Sequence, residues 1–388
     1  MTATPLEEVD VVDVVVVGGG IVGLSIGWRA AAAGRSVVVC DPAPGGGASR
    51  AAAGMLAPVS EARAAEGPLA RLGLASLRRW PGFADELVAD AGLAGTEDLG
   101  LRREGTLQVA FDDDDRRALE ELAGVHRELG LDSELLGARR CRELVPLLSP
   151  MVRAGLLVPS DWQVDPRRVL RALIGALGAR GGGLRAQGVR AVRATAGGEL
   201  WGVELDDATC LEAAAVVLAP GVGVDRIGGV VADLRLPVRP VKGEILRLRA
   251  APGDEVLPMT VRASVKGQPV YLVPRLDGEV VVGATMQEAG ADTAVRAGGV
   301  LELLRAAIEL VPGLGELALE ETLAAARPTT PDNGPLLGPT SLVGLHVAAG
   351  HYRGGVLLAP VSADAVLAGL GAGEMPVEAS PFDAGRYS

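Results

Sequence analysis

The stretch VVDVVVVGGGIVGLSIGWRAAAAGRSVVVCDP, residues 11–42, constrains the fold more than any other part of the chain. Its valines run on without polar alternation, the mark of a strand buried on both faces, and Val14–Val17 are read as that strand. Gly18–Gly20 suit a turn, Ile21–Ala33 a helix closed by Gly34, and Val37–Cys40 a second strand. Strand, helix and strand in that order make a βαβ unit, so the fold is predicted to be α/β with a parallel sheet. Gly18, Gly20 and Gly23 satisfy G-x-G-x-x-G in the strand–turn–helix setting that gives this pattern meaning. Such glycines let the backbone approach a pyrophosphate at the positive end of the helix. Asp41, ending the second strand, is placed to hydrogen-bond ribose hydroxyls, and its charge disfavours a 2′-phosphate. One dinucleotide is therefore expected, and NAD and FAD are not separated by this unit. A second unit is not found: GARGGGLRAQG (178–188) lacks a preceding apolar strand and reads as a loop.

The chain has 388 residues, enough for about two domains. Its 48% hydrophobic and 22% charged content suits large buried cores rather than disorder. A net charge of -12, with basic residues scattered, argues against a nucleic-acid partner. Cys40, Cys141 and Cys210 lie far apart, which disfavours a zinc site or a disulfide framework and suits a reducing cytoplasm. Three histidines leave little material for a metal cluster, so none is expected. The acidic N-terminus lacks the basic start of a signal peptide, and no apolar run approaches the roughly 20 residues that span a bilayer. No membrane partner is expected.

Downstream, a helix is predicted from about Pro68, with a kink or break at Pro81. EGTLQVAF reads as a strand, and Asp112–Asp115 open a helix whose dipole favours anions there. GLLVPSDWQVDPRRVLRAL reads as a hairpin leading into a helix with Pro166 in its first turn. Strand patterns then dominate until DTAVRAGGVLELLRAAIELVP restores a helical period. Near the C-terminus, AAGHYRGGVLLAP (348–360) joins a strand end, two glycines and a final helix expected over about Val356–Leu370. Backbone meeting a ligand is the natural use of such a junction, and Arg353 stands in it.

GGASRAAAGMLAPVSEA, DWQVDP, PVRPVKGE, YLVPRLDGEVVVGATM, RPTTPDNGPLLGP and AAGHYRGGVLLAP occur in this order along the chain. Together they resemble the FAD-dependent D-amino acid oxidase superfamily, most closely its glycine oxidases of thiamin biosynthesis. The resemblance implies a Rossmann-like FAD-binding domain interleaved with a mostly antiparallel substrate domain. The implied division assigns 9–95, 150–228 and 327–372 to the first domain and 96–149 and 229–326 to the second, with tails at 1–8 and 373–388.

Carried over residue by residue, the resemblance implies non-covalent FAD. Ile21 and Val22 would lie at the pyrophosphate turn with the glycines, and Asp41 and Pro42 at the ribose. Ala48 and Ser49 would meet the phosphates, Ala53, Gly54 and Met55 would border the flavin, and Val189 would touch the adenine side. His351, Tyr352, Arg353, Gly354, Gly355, Val356 and Leu357 would run along the flavin ring. Free N–H groups at a helix start would there stabilise charge gathered by the reduced ring. Arg353 and Tyr271 would bind a substrate carboxylate, Arg327 would be a further substrate-site arginine, and Met286 would wall the pocket. His351 is read as lying close through its backbone rather than as a base.

The implied reaction is oxidative deamination of glycine, or of sarcosine or a small D-amino acid, with hydride passing to FAD. Its products are glyoxylate or another keto acid, ammonia and hydrogen peroxide, with oxygen as co-substrate. A cytoplasmic homo-oligomer, a tetramer by the family's habit, is expected. Two alternatives stay open on the sequence: a dehydrogenase of D- or N-methyl amino acids feeding an electron carrier, and a non-catalytic FAD-binding scaffold.

Overall fold

The computed structural model describes residues 11–195, 201–254 and 256–387, so the expected tail at 1–8 lies outside the described residues. Val11–Val17 sits inside a nine-stranded sheet, parallel to Val37–Cys40 on one side and Cys210–Leu218 on the other. Val14 and Val16 face one apolar core while Val15 and Val17 face another. That two-sided burial is why the valines run without a polar break. The helices Ile21–Ala32, Gly67–Ala91, Pro166–Ala179 and Ala359–Gly369 pack into the first of these cores. Leu345–Ala349 runs parallel to Cys210–Leu218, with Val347 opposite Leu218 and Leu218 opposite Val17. The carboxyl ends of three parallel strands therefore stand side by side, bringing the glycine turn after Val17 close to Gly350. An open α/β sheet binds its ligands at that edge.

The second sheet has eight strands and is antiparallel, except where Thr260–Val265 runs parallel to Thr106–Ala110. The helix Ala297–Leu310 covers one face through Leu303, Ala307 and Leu310. From another part of this sheet Ile245, Val273 and Val281 pack against Ala53, which belongs to the loop after the first βαβ unit. The two sheets thus meet across that loop.

Four local expectations are corrected. Pro81 does not break its helix, which runs from Gly67 to Ala91. Burial of Leu77, Trp80, Phe83 and Leu87 along this helix offsets the ~3 kcal/mol that an internal proline costs. The expected hairpin is no hairpin: Ala154–Val158 joins the second sheet, while Trp162–Gln163 pairs with Met55–Leu56. Residues within the span 150–228 thus pair with strands of the second sheet. GARGGGLRAQG contains an edge strand, Gly183–Arg185, parallel to Val37–Cys40. An edge strand formed by backbone pairing carries no apolar signature. The final helix starts at Ala359 rather than Val356, with Gly354–Leu358 turning ahead of it. Within the expected tail at 373–388, Ala379 and Phe382 are buried in the first core.

Candidate active site

A cavity of about 650 Å³ opens where the two sheets meet. That volume falls among ligand sites, which span roughly 300–1,000 Å³. At one end lies the glycine turn. Gly18 adopts φ +109°, and a Cβ there would stand 2.2 Å from the Ala219 carbonyl oxygen. At Gly23 a Cβ would stand 1.9 Å from the Gly18 oxygen, so the helix rests on the turn only because Gly23 has no side chain. Gly20 caps the helix Ile21–Ala32 without a side-chain bond, which leaves the first amides facing outward. The Ile21 N–H donates to the Ser49 hydroxyl at 3.0 Å. That hydroxyl keeps its own proton for an anion lying there. Asp41 accepts from the Gly19 and Ala43 amides at 2.7 Å each, a turn-shaping role the sequence did not announce. A carboxylate has about four acceptor positions, so capacity for ribose hydroxyls remains. Pro42, Ala48 and Val189 also line this part of the cavity.

The middle of the cavity is bordered by Ala53, Gly54 and Met55 on one side and His351–Leu357 on the other. Among the described residues, the amides of Gly355, Val356 and Leu357 donate to no protein group. The free donors expected at a helix start are present, but they belong to the turn that precedes the helix. His351 is buried, with its Nε2 2.8 Å from the Ser362 hydroxyl, and burial pushes its pKa down to about 4.

The far end carries side chains from the second sheet. Tyr271 lies over Gly283 and Arg327 over Gly243: a Cβ at either glycine would stand within 2.4 Å of the neighbouring polar group. The two glycines clear the sheet surface for those two groups. Burial raises the Tyr271 hydroxyl's pKa, and the charge of Arg327 opposes the rise. Arg353 lines the same cavity, its guanidinium over the Tyr352 ring and 3.9 Å from Glu66. The structure thus brings Arg353, Tyr271 and Arg327 to one cavity. Met286 is placed differently: it is 66% exposed and accepts a hydrogen bond from the Tyr352 hydroxyl at 3.1 Å. It stands at the rim and not in the wall.

Several residues were missed by the sequence reading. Glu66 holds the Asn333 side-chain amide at 2.9 Å on one oxygen and faces Arg353 with the other. Glu61 lines the cavity and pairs with Arg262 at 3.0 Å. Pro220 and the turn after it line the nucleotide end. Of these, Glu61 lies in the quoted GGASRAAAGMLAPVSEA, and nothing in that segment set it apart from an exposed carboxylate.

The donors, the glycine clearances and the volume and lining of the cavity fit a dinucleotide. A family profile described as "FAD dependent oxidoreductase" matches residues 13–368. The chain belongs to that family. It is an oxidoreductase whose cofactor is FAD. It is similar to glycine oxidase of Geobacillus kaustophilus (strain HTA426), 32% identical over 379 residues that cover 97% of each protein. A crystal structure of glycine oxidase from Geobacillus kaustophilus superposes with a TM-score of 0.89, covering 97% of this chain and 99% of that one. The bifunctional protein ThiO/ThiG of Synechocystis sp. (strain ATCC 27184 / PCC 6803 / Kazusa) is 35% identical over 355 residues, 90% of this chain and 50% of that protein. This chain therefore spans about half the length of that bifunctional relative. Among the described residues, no helix is long and apolar enough to cross a membrane.

Proposed function

We propose that this flavoprotein oxidises glycine, with oxygen and water, to glyoxylate, ammonia and hydrogen peroxide, in the making of the thiamin thiazole. The observation that carries this is the meeting of Arg353, Tyr271 and Arg327 at the end of the cavity opposite the glycine turn. When bound, FAD supplies the two-electron acceptor for the C–H bond broken at the substrate's Cα. Arg353 offers a planar fork that grips a carboxylate at two oxygens. The Tyr271 hydroxyl, kept protonated by its raised pKa, donates to the same carboxylate. Arg327, whose Nη1 is held by the Thr285 carbonyl at 3.3 Å, supplies the second positive charge. Fixing the carboxylate at this end would orient the substrate's Cα toward the middle of the cavity, so these residues act chiefly by positioning. His351 is neutral and bonded to Ser362, so it serves the shape of the segment rather than proton transfer. Ile21, Val22, Gly23, Ser49 and Asp41 would hold the pyrophosphate and ribose, and the free amides of Gly355, Val356 and Leu357 would donate to the ring.

The names of the relatives favour glycine and thiamin biosynthesis. A cytoplasmic homo-oligomer, a tetramer by analogy with the family, completes the proposal, and light scattering of the eluted protein measures it. Oxygen uptake against glycine, sarcosine, D-alanine and D-proline is the deciding experiment. Glycine is expected to drive uptake with stoichiometric peroxide. Reduction by an amino acid without oxygen uptake would make the protein a dehydrogenase and overturn the oxidase assignment.

A further inference from the structure

Arg275 follows the strand Gln268–Pro274 of the second sheet and is 7% exposed. It reaches away from its own sheet. Nη1 donates to the Val164 carbonyl at 2.8 Å and to the Gln163 side chain at 3.1 Å, and Nη2 donates to the Ala53 carbonyl. The next carbonyl, that of Gly54, accepts from the Val164 amide at 2.9 Å, and Met55 pairs with Gln163. Both carbonyls are thus held on the side away from the cavity. The Ala53–Gly54 peptide is trans, and in a planar trans peptide the N–H points opposite to the C=O. The Gly54 amide is buried, lines the cavity, and donates to no protein group among the described residues. Buried amides are paired in more than about 90% of cases. An unpaired one at a cofactor cavity calls for an acceptor on the cofactor. Gly54 has φ +80°, and a Cβ there would stand 2.1 Å from the Val164 oxygen, so the arrangement tolerates no side chain.

We propose that Arg275 is a positioning residue for the flavin: from the second sheet it fixes the Ala53 carbonyl, so that the Gly54 N–H faces the ring as a preset donor with a cation behind it. The cation is real at neutral pH, since burial lowers Arg275 only to about 10. Asp165, Glu279 and Asp277 oppose the charge without hydrogen-bonding to it: Glu279 lies 4.0 Å from Nε, shared with Arg247, and Nε has no hydrogen-bond partner. In a site shielded from water, a donor and a positive charge fixed in this way favour whichever state of the ring carries more negative charge. Arg275 therefore favours the reduced flavin.

The proposal rests on FAD binding in this cavity, and the test uses no amino acid. The midpoint potential of the FAD-loaded protein is measured with xanthine and xanthine oxidase as reductant, alongside the FAD dissociation constant. Arg275→Gln is expected to weaken binding of reduced relative to oxidised flavin at least tenfold, which lowers a two-electron potential by about 30 mV. Arg275→Lys, which keeps the charge and loses the fork, is expected to fall between that variant and the wild type, and it decides the matter if Arg275→Gln does not hold FAD. Arg247→Gln disturbs the same ion network without touching the loop and is expected to leave the potential unchanged. Wild-type potential and FAD affinity in both Arg275 variants would overturn the proposal. So would an equal fall in Arg247→Gln, because the charge of the network and not the grip on Ala53 would then set the potential. A wild-type protein that takes up FAD but ignores glycine leaves this test standing and fails only the substrate assignment.

Discussion

The two ends of the cavity are built in opposite ways. At the nucleotide end, recognition belongs to backbone: amides at a helix start, glycines that let chain touch chain, and one carboxylate that shapes the turn. At the proposed reactive end the cavity presents side chains instead: Tyr271 and Arg327 over glycines of the second sheet, and Arg353 on a turn after a strand of the first. A backbone site tolerates almost no substitution at its contact points, because an added Cβ has nowhere to go. A side-chain site tolerates a folded variant and loses function in proportion to the contact removed.

That difference can be broken by mutation. Gly18→Ala should have the largest effect, since a Cβ would meet the Ala219 oxygen at 2.2 Å at a φ that alanine avoids. A loss upwards of about 3 kcal/mol and colourless protein are expected from thermal melts and flavin absorbance. His351, in the segment that borders the middle of the cavity, should give a comparable effect that depends on pH. Its pKa falls from 6.5 to about 4 on folding. As pH drops from 6.5 toward 4, the unfolded chain takes up a proton that the folded chain refuses, so stability falls, by roughly 3 kcal/mol when complete. His351→Gln should flatten this acid limb of the melting profile, and an unchanged limb would show that another group sets it.

Arg353→Ala tests the side-chain end alone. Loss of one member of a desolvated charge pair costs about 2–5 kcal/mol. The KM for glycine should rise at least about 30-fold with FAD retained, and Arg353→Lys should be impaired too, because a point charge cannot replace the fork. Unchanged steady-state kinetics would refute the role. The smallest effect is expected at Met286, which is 66% exposed at the rim. Met286→Ala should change kcat/KM by no more than about 0.5 kcal/mol, roughly twofold. A larger loss would mean that the rim closes on the substrate.

The same contrast governs what could be read in advance. The βαβ unit was legible because valine burial, glycine spacing and the closing Asp41 are neighbours in sequence. Pro81 was misread because its local cost is outweighed by partners far along the chain, such as Leu357, whose carbonyl accepts from Ser76 and Trp80. The grouping of Tyr271, Arg327 and Arg353 in one cavity was legible only through resemblance. No spacing rule links Tyr271, Arg327 and Arg353, since three different segments deliver them. Glu66 and Arg275 stayed hidden for a related reason: each acts on another residue's position, and a sequence shows no pairing between them.

Anaerobic titration of the FAD-loaded protein with glycine, followed at the flavin absorbance band, tests the central claim most directly. The wild type should bleach fully, and Arg353→Ala should bleach only at glycine concentrations at least about 30-fold higher. A wild type that stays oxidised, or a variant that bleaches at the same concentration, would contradict a reactive end built around Arg353.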